Sequence, residues 1–343
     1  MLSATVERGA RVSALLTGAW RPAPPAPATD DVADLVPLLI RTGVGALAWW
    51  RLRASAPSAT PALGALRQTY RMQALHARLH EDRITRAFEL LRAAGVEPLL
   101  VKGWAAARLY PHPGLRPYGD VDLVVRPEQR ERAEAALRSP DGQRCRVDLH
   151  DRIQQLDTPI GALFERSQRV PLGTMHVRVP GAEDHLALLC LHMLRHGAWR
   201  PVWLCDIAAA SEALPAGADW ARRLRGDARR AHWIACALGL AGRLLGARVE
   251  AHGAARLPRW LPRAVLAQWG RDEHYMATPT MGFALRHPRL LADAVRLRWP
   301  NAIQATVDLG GPFNELPRLP FQVGECVRRI GQATRAMVAT CTR

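Results

Sequence analysis

Over residues 63–94 the apolar positions recur at helical spacing, through Leu66, Tyr70, Leu75, Leu79, Ile84, Ala87, Leu90 and Leu91. That period predicts one long helix, or two in line, with its apolar residues on one side. Gly95 is a natural stop, since glycine takes the left-handed backbone cheaply. The pattern then shortens. Leu99 to Val101 form a short apolar run that halts at Gly103 and reads as a buried strand entering a turn, so that residues 96–101 are delivered into a sheet. Residues 120–125 read as a second strand and 146–150, centred on Asp148, as a third. Met175-His-Val-Arg-Val179 alternates like an edge strand. Between these runs the chain predicts a short helix at 105–109 and a Pro/Gly-rich loop at 110–119. A charged helix at 128–137 has Pro127 near its first turn, and Ser139-Pro-Asp-Gly reads as a turn.

Before and after this region the period is helical. Residues 6–19 predict a short helix, followed by a proline-rich linker at 21–29. A helix capped by Asp30 or Asp31 runs to about 41, and 55–61 is a cluster of helix breakers. From Asp184 onward Leu186, Leu189, Cys190, Met193 and Leu194 make one stripe, with further helices at 202–214, 219–224 and 228–245. The order of elements predicts an α/β domain with a small mixed sheet at 63–182. A helical extension occupies 1–62, and a mainly helical domain occupies 183–343.

Composition narrows the class. The 343 residues are 48% hydrophobic and 23% charged, as in a globular protein with a substantial core. No apolar run is long enough to span a bilayer, and the N-terminus lacks a signal-peptide pattern. The expectation is therefore a cytoplasmic protein without a membrane partner. The six cysteines show no Cys-x-x-Cys spacing, which argues against a zinc or disulfide framework. The net charge of +16 suits an anionic partner. The arginines are scattered, however, so the charge is expected to serve phosphate locally and not as a broad nucleic-acid platform.

Asp120 and Asp122 stand two apart at the head of a strand, and alternate strand residues share a face. Two close carboxylates repel unless a cation lies between them, and a divalent ion with hard oxygen ligands does this. Asp148 supplies a third carboxylate on a neighbouring strand, beside His150, which contacts a substrate or closes a strand end. Such a set suits metal-assisted phosphoryl or nucleotidyl transfer. The simpler reading puts Asp120 and Asp122 on a solvated strand face. Lys102 ends an apolar strand and Arg116 sits in the loop, and each is able to reach phosphate or emerge into water. Asp206 is as readily a buried structural carboxylate as a site residue. His76 and His80 have the i, i+4 spacing of a metal-binding pair but are read as lining a solvated or packed face, and His192/His196 matches half of a His-Glu-x-x-His pattern. Met193 occupies the place a zinc peptidase would need for glutamate.

Leu100-Val-Lys-Gly-Trp-Ala-Ala-Ala-Arg-Leu-Tyr110, Arg116-Pro-Tyr-Gly-Asp-Val-Asp-Leu-Val-Val125 and Val147-Asp-Leu-His150 together resemble the nucleotidyltransferase-like family of bacterial proteins with an LKG…R…DxDLLV…DLH pattern. That family belongs to the DNA polymerase beta-like nucleotidyltransferase superfamily. Gly103-Trp104 stands where the wider superfamily carries Gly-Ser or Gly-Gly. The short interval from Asp122 to Asp148 suggests that a strand or hairpin has been trimmed. The resemblance implies a Mg²⁺-dependent enzyme, with Mn²⁺ as an alternative ion. It would transfer a nucleoside monophosphate from an NTP such as ATP to an acceptor: a small molecule, a peptide, a protein side chain or an RNA end. By the same resemblance Asp120, Asp122 and Asp148 hold metal and act in catalysis, while Lys102, Gly103 and Arg116 bind the nucleotide. The competing readings are an inactive nucleotide-binding regulatory protein and a basic nucleic-acid-binding protein.

Overall fold

A computed structural model describes residues 2–27, 32–54, 60–153, 155–215, 227–249, 255–272 and 297–341, with single positions 218, 287 and 295. The expected cap at Asp30 or Asp31, most of the 55–61 breaker cluster and the helix at 219–224 lie outside the described residues.

The chain opens with α1 (Leu2–Leu16), α2 (Val36–Arg41) and α3 (Gly45–Leu52), and continues into the long α4 (Pro61–Ala93). Thr60 caps α4 by accepting a hydrogen bond from the Leu63 amide, and Pro61 sits where its missing N–H costs nothing. Helix α4 bridges two cores. Its N-terminal Leu66 packs with the helical layer, while Ile84, Ala87, Phe88 and Leu91 pack on the sheet. Between them the 110–119 loop covers one side at Ala77, while Leu75 and Leu79 are exposed although they fit the same helical period. Gly95 ends the helix with φ +73°.

The sheet strands are β1 (Leu99–Leu100), β2 (Val121–Val124), β3 (Val147–His150), β4 (Gln168–Leu172) and β5 (Met175–Val179), in the order β3-β2-β1-β5-β4. β1 runs antiparallel to β2 and parallel to β5, β2 runs parallel to β3, and β4 and β5 form an antiparallel hairpin. The expected mixed α/β sheet is present, with three differences. β5 is interior, and β4, which the pattern did not reveal, is the edge. β1 and β2 are shorter than their apolar runs, because only Leu99–Leu100 and Val121–Val124 have ladder partners. The Ser139-Pro-Asp-Gly segment starts a helix: Ser139 accepts from the Gly142 amide at 3.1 Å, and Pro140 fits the first turn.

Three helices follow these strands in space. α5 (Gly103–Ala107) leaves β1, whereas α6 (Arg130–Leu137) and α7 (Pro140–Cys145) carry the chain from β2 to the parallel β3. That crossover fills the short interval between the two aspartates, which contains no strand. After α8 (Ile160–Glu165) and the hairpin come α9 (Ala182–Arg195), α10 (Pro201–Glu212), α11 (Ala228–Leu245), α12 (Trp260–Trp269), α13 (Ala302–Asp308) and α14 (Leu319–Cys341). α1 packs on α12 and α11, so the two ends of the chain share one apolar core.

The two faces of the sheet belong to different cores. Leu100, Val121, Leu123 and Val125 face α4, while Leu99, Val101 and Val124 join the helical layer that contains α9 and α10. The alternation along β2 places Asp122 on the Val124 face, under that helical layer.

Candidate active site

The turn from β1 into α5 is strained at Lys102, whose φ is +54°. A non-glycine residue held there costs roughly 1–3 kcal/mol and persists only where its surroundings impose it. The next residue explains part of the constraint. A Cβ on Gly103 would lie 3.3 Å from the Asp120 carbonyl oxygen, so glycine lets the two backbones approach. The Val101 amide donates to the Asp122 carbonyl oxygen at 3.1 Å, which fixes the register. In this conformation Lys102 Nζ lies 3.2 Å from Asp122 Oδ1.

On the other side of Asp122 lies β3. The ladder sets Asp122 opposite Asp148 and Val124 opposite His150, so all three functional side chains point to one face. His150 Nε2 is 3.4 Å from Asp122 Oδ1 and 3.2 Å from Asp148 Oδ2. Ligand atoms of Asp122, Asp148 and His150 all lie within 4.8 Å of one another. Asp122 is largely buried and Asp148 largely exposed, so the cluster is open on the Asp148 side.

Electrostatics follow from this packing. Burial opposes ionisation of Asp122, but the hydrogen bond from His150 and the charge of Lys102 outweigh it and hold the carboxyl below its ordinary value. The same hydrogen bond raises the His150 imidazole, against burial, and the Asp148 charge adds to the effect. His192 of α9 and His196, which caps its C-terminus, lie close enough to sense the Lys102 charge. Burial pushes His192 down to about 3, helped by His196, Lys102 and Arg116, and burial likewise lowers His196, with Lys102 adding to it. Both therefore stay neutral beside the basic groups.

Asp120 precedes β2, is exposed and does not enter the three-residue group. The strand begins one residue later than its sequence suggests, so Asp120 is not held by a ladder. Arg116 is also placed apart. Its guanidinium is buried against Asp206 of α10, with Nη2 2.8 Å from Oδ2 and Nε 3.2 Å from each oxygen. Nη1 donates to the Pro117 carbonyl oxygen at 3.0 Å, and Tyr110 donates its hydroxyl to Asp206 at 2.8 Å. Burial and then Asp206 push the Tyr110 phenol well up. At the far end of the same loop Tyr118 donates to the Ala77 carbonyl oxygen at 3.3 Å and its ring lies 5.4 Å from that of His80. The loop leading to Asp120 is thus pinned to α10 and to α4.

Sequence reasoning singled out both Asp122 and Asp148 but gave His150 no role at the metal. The available signal was its i, i+2 spacing from Asp148 on the same strand. Nothing local announces the pairing of Arg116 with Asp206, which are 90 positions apart.

A cavity of about 320 Å³ opens beside Lys102 and His150, lined also by Arg130, Arg152 and Gln155. A small mixed sheet thus carries cross-strand aspartates next to a turn strained at Lys102 and a basic cavity. The chain belongs to the family described as uncharacterised nucleotidyltransferase, whose family model matches residues 28–246. No curated protein and no solved structure matches the chain. Among the described residues no helix is long and apolar enough to cross a membrane.

Proposed function

We propose that the protein is a divalent-metal-dependent nucleotidyltransferase that moves a nucleoside monophosphate from an NTP to an acceptor hydroxyl. The observation that carries this reading is the cross-strand pair Asp122 and Asp148, joined by His150 and approached by Lys102, in a chain of this family. Two carboxylate oxygens and one imidazole nitrogen fit a divalent ion of the Mg²⁺ or Mn²⁺ kind, with the nitrogen favouring Mn²⁺. When bound, such an ion polarises phosphate oxygens and draws the triphosphate into place.

The chain's own residues supply the remaining parts. Asp122 and Asp148 hold the ion, with Asp120 at the mouth of the site as a further carboxylate. Lys102 balances charge on the triphosphate, and the Gly103 turn leaves room for it. Arg116 acts from beneath by fixing the loop that ends at Asp120. His150 completes the ligand set through Nε2 and keeps Asp122 oriented. In the transfer the acceptor oxygen bonds to the α-phosphorus and the bond from that phosphorus to the bridging oxygen of the β-phosphate breaks. The acceptor proton passes to a base, and pyrophosphate leaves. The cytoplasm, where nucleoside triphosphates are abundant, suits such an enzyme.

A second reading rests on the ion pair of Lys102 with Asp122, which neutralises that carboxylate without a metal and would suit an inactive nucleotide-binding protein. One experiment separates the two. Purified protein is incubated with each labelled NTP, Mg²⁺ or Mn²⁺ and a cell lysate, with Asp122→Asn as control. Metal-dependent pyrophosphate release that the control lacks supports transfer, and NTP binding without pyrophosphate release supports the second reading.

A further inference from the structure

A basic hollow beside this site lies outside the motif stretch, in the helical layer. It has a volume of about 530 Å³, within the usual range for small-molecule sites. Gln155 lines both this hollow and the smaller cavity next to Lys102 and His150. His196, whose imidazole senses the Lys102 charge, lines it too. The hollow therefore adjoins the site at its lysine side.

Its walls bring together arginines from three helices: Arg195 at the end of α9, Arg229 and Arg230 at the start of α11, and Arg328 of α14. Two of the four are already neutralised. Arg230 pairs with Asp157 and Asp227, and Arg328 pairs with Glu325 at 2.6 Å and Asp308 at 3.3 Å. Arg195 and Arg229 have no ion-pair partner among the described residues. Room for the Arg229 head is made by Gly310, which has φ +65°. A Cβ there would come within 2.5 Å of Arg229 Nη1. Leu191, Trp233 and Val307 add apolar wall between the charges. The hollow also holds Asp227 and Asp308. Burial raises the Asp308 carboxyl, and Arg195 lowers it without forming an ion pair with it. The four guanidinium groups still outnumber the two carboxylates. Two of them, outside ion pairs and with apolar neighbours, suit an organic anion, since the planar fork matches phosphate and carboxylate alike.

We infer that this hollow is the acceptor site, and that the acceptor is a small organic molecule bearing a phosphate or carboxylate group. The inference rests on the nucleotidyl-transfer reading for the word acceptor, while the anion pocket itself does not. With the triphosphate held on the Lys102 side, the acceptor's anionic end sits on Arg195 and Arg229 and its hydroxyl extends past Gln155 toward the α-phosphorus.

The test is isothermal titration of the full chain at low salt, without metal or nucleotide, using inorganic phosphate in one arm and succinate in the other. One of the two probes is expected to bind at a single site. Arg195→Gln/Arg229→Gln should weaken that binding at least tenfold, and Lys102→Ala should leave it within twofold. The binding arm shows which anion the acceptor carries. Failure of both probes to bind, unchanged binding in the double variant, or loss of binding in Lys102→Ala would overturn the inference. A parallel Mn²⁺ titration followed by electron paramagnetic resonance keeps the outcomes apart. Anion binding without Mn²⁺ binding leaves the pocket standing and removes its role as an acceptor site. Mn²⁺ binding without anion binding overturns the pocket and leaves the nucleotidyl-transfer reading standing.

Discussion

Arg116→Met asks whether this arginine reads phosphate or holds the fold. Asp206 is fully buried, and its carboxylate accepts from Arg116 at 2.8 Å and 3.2 Å and from Tyr110 at 2.8 Å. Methionine keeps most of the side-chain volume but leaves the carboxylate with one phenolic donor in an apolar layer. Breaking a buried pair by removing one partner costs about 3–5 kcal/mol, because the remaining charge is uncompensated. Arg116→Met should lose that much in urea unfolding, with the slope on denaturant unchanged. Adding Asp206→Asn removes the stranded charge and keeps an acceptor for Tyr110. The Arg116→Met/Asp206→Asn protein should therefore recover most of the loss and regain nucleotide binding together with stability. The reasoning fails if Arg116→Met unfolds at the wild-type urea midpoint while Mg²⁺–ATP affinity falls tenfold or more. That outcome would place the guanidinium on the triphosphate.

Asp122→Asn should abolish Mn²⁺ binding without unfolding the chain, since the amide keeps the side-chain volume and one acceptor oxygen beside Lys102 and His150, and a paramagnetic titration beside a melting curve reads both. Asp148→Asn should retain metal-dependent NTP binding and lose turnover by about a hundredfold, and near-wild-type turnover would take Asp148 out of the reaction. Glu212 carries a pH prediction. Burial opposes its charge, but Arg21, the Arg248 amide and the Trp20 indole lower its carboxyl from 4.5 to about 2. The stabilisation, about 3 kcal/mol, is fully present above pH 4.5 and is lost as pH falls through about 2. Urea midpoints should therefore drop between pH 5 and pH 2 in the wild type and by a smaller amount in Glu212→Gln, where the other paired carboxylates still titrate. Gly114 has φ +85°, and a Cβ would lie 2.5 Å from the Ala74 amide nitrogen. Gly114→Ala should cost more than about 1 kcal/mol, measured by the same unfolding assay.

Local chemistry determined a good part of this protein. The period of α4, its stop at Gly95, the alternation around Asp148 and the Asp120–Asp122 spacing are nearest-neighbour properties, readable before any contact is known. They fixed a small α/β sheet with helical flanks, and they placed Asp122 and Asp148 on strands. Even so, local reading stretched β2 back to Asp120, because a ladder partner, and not residue type, ends a strand. It took β5 for an edge because alternation marks one solvated face but not which strands lie to either side. It read Ser139 as a turn where the serine caps a helix, since both use the same side-chain acceptor. Only the tertiary structure decided which cross-strand residues meet: a parallel register sets Asp148 opposite Asp122 and brings His150 to both. Only it turned Arg116 inward, 90 positions along the chain from its partner Asp206. Ion pairs at that separation depend on how two layers stack, and stacking is a property of the assembled core, which no window of sequence contains.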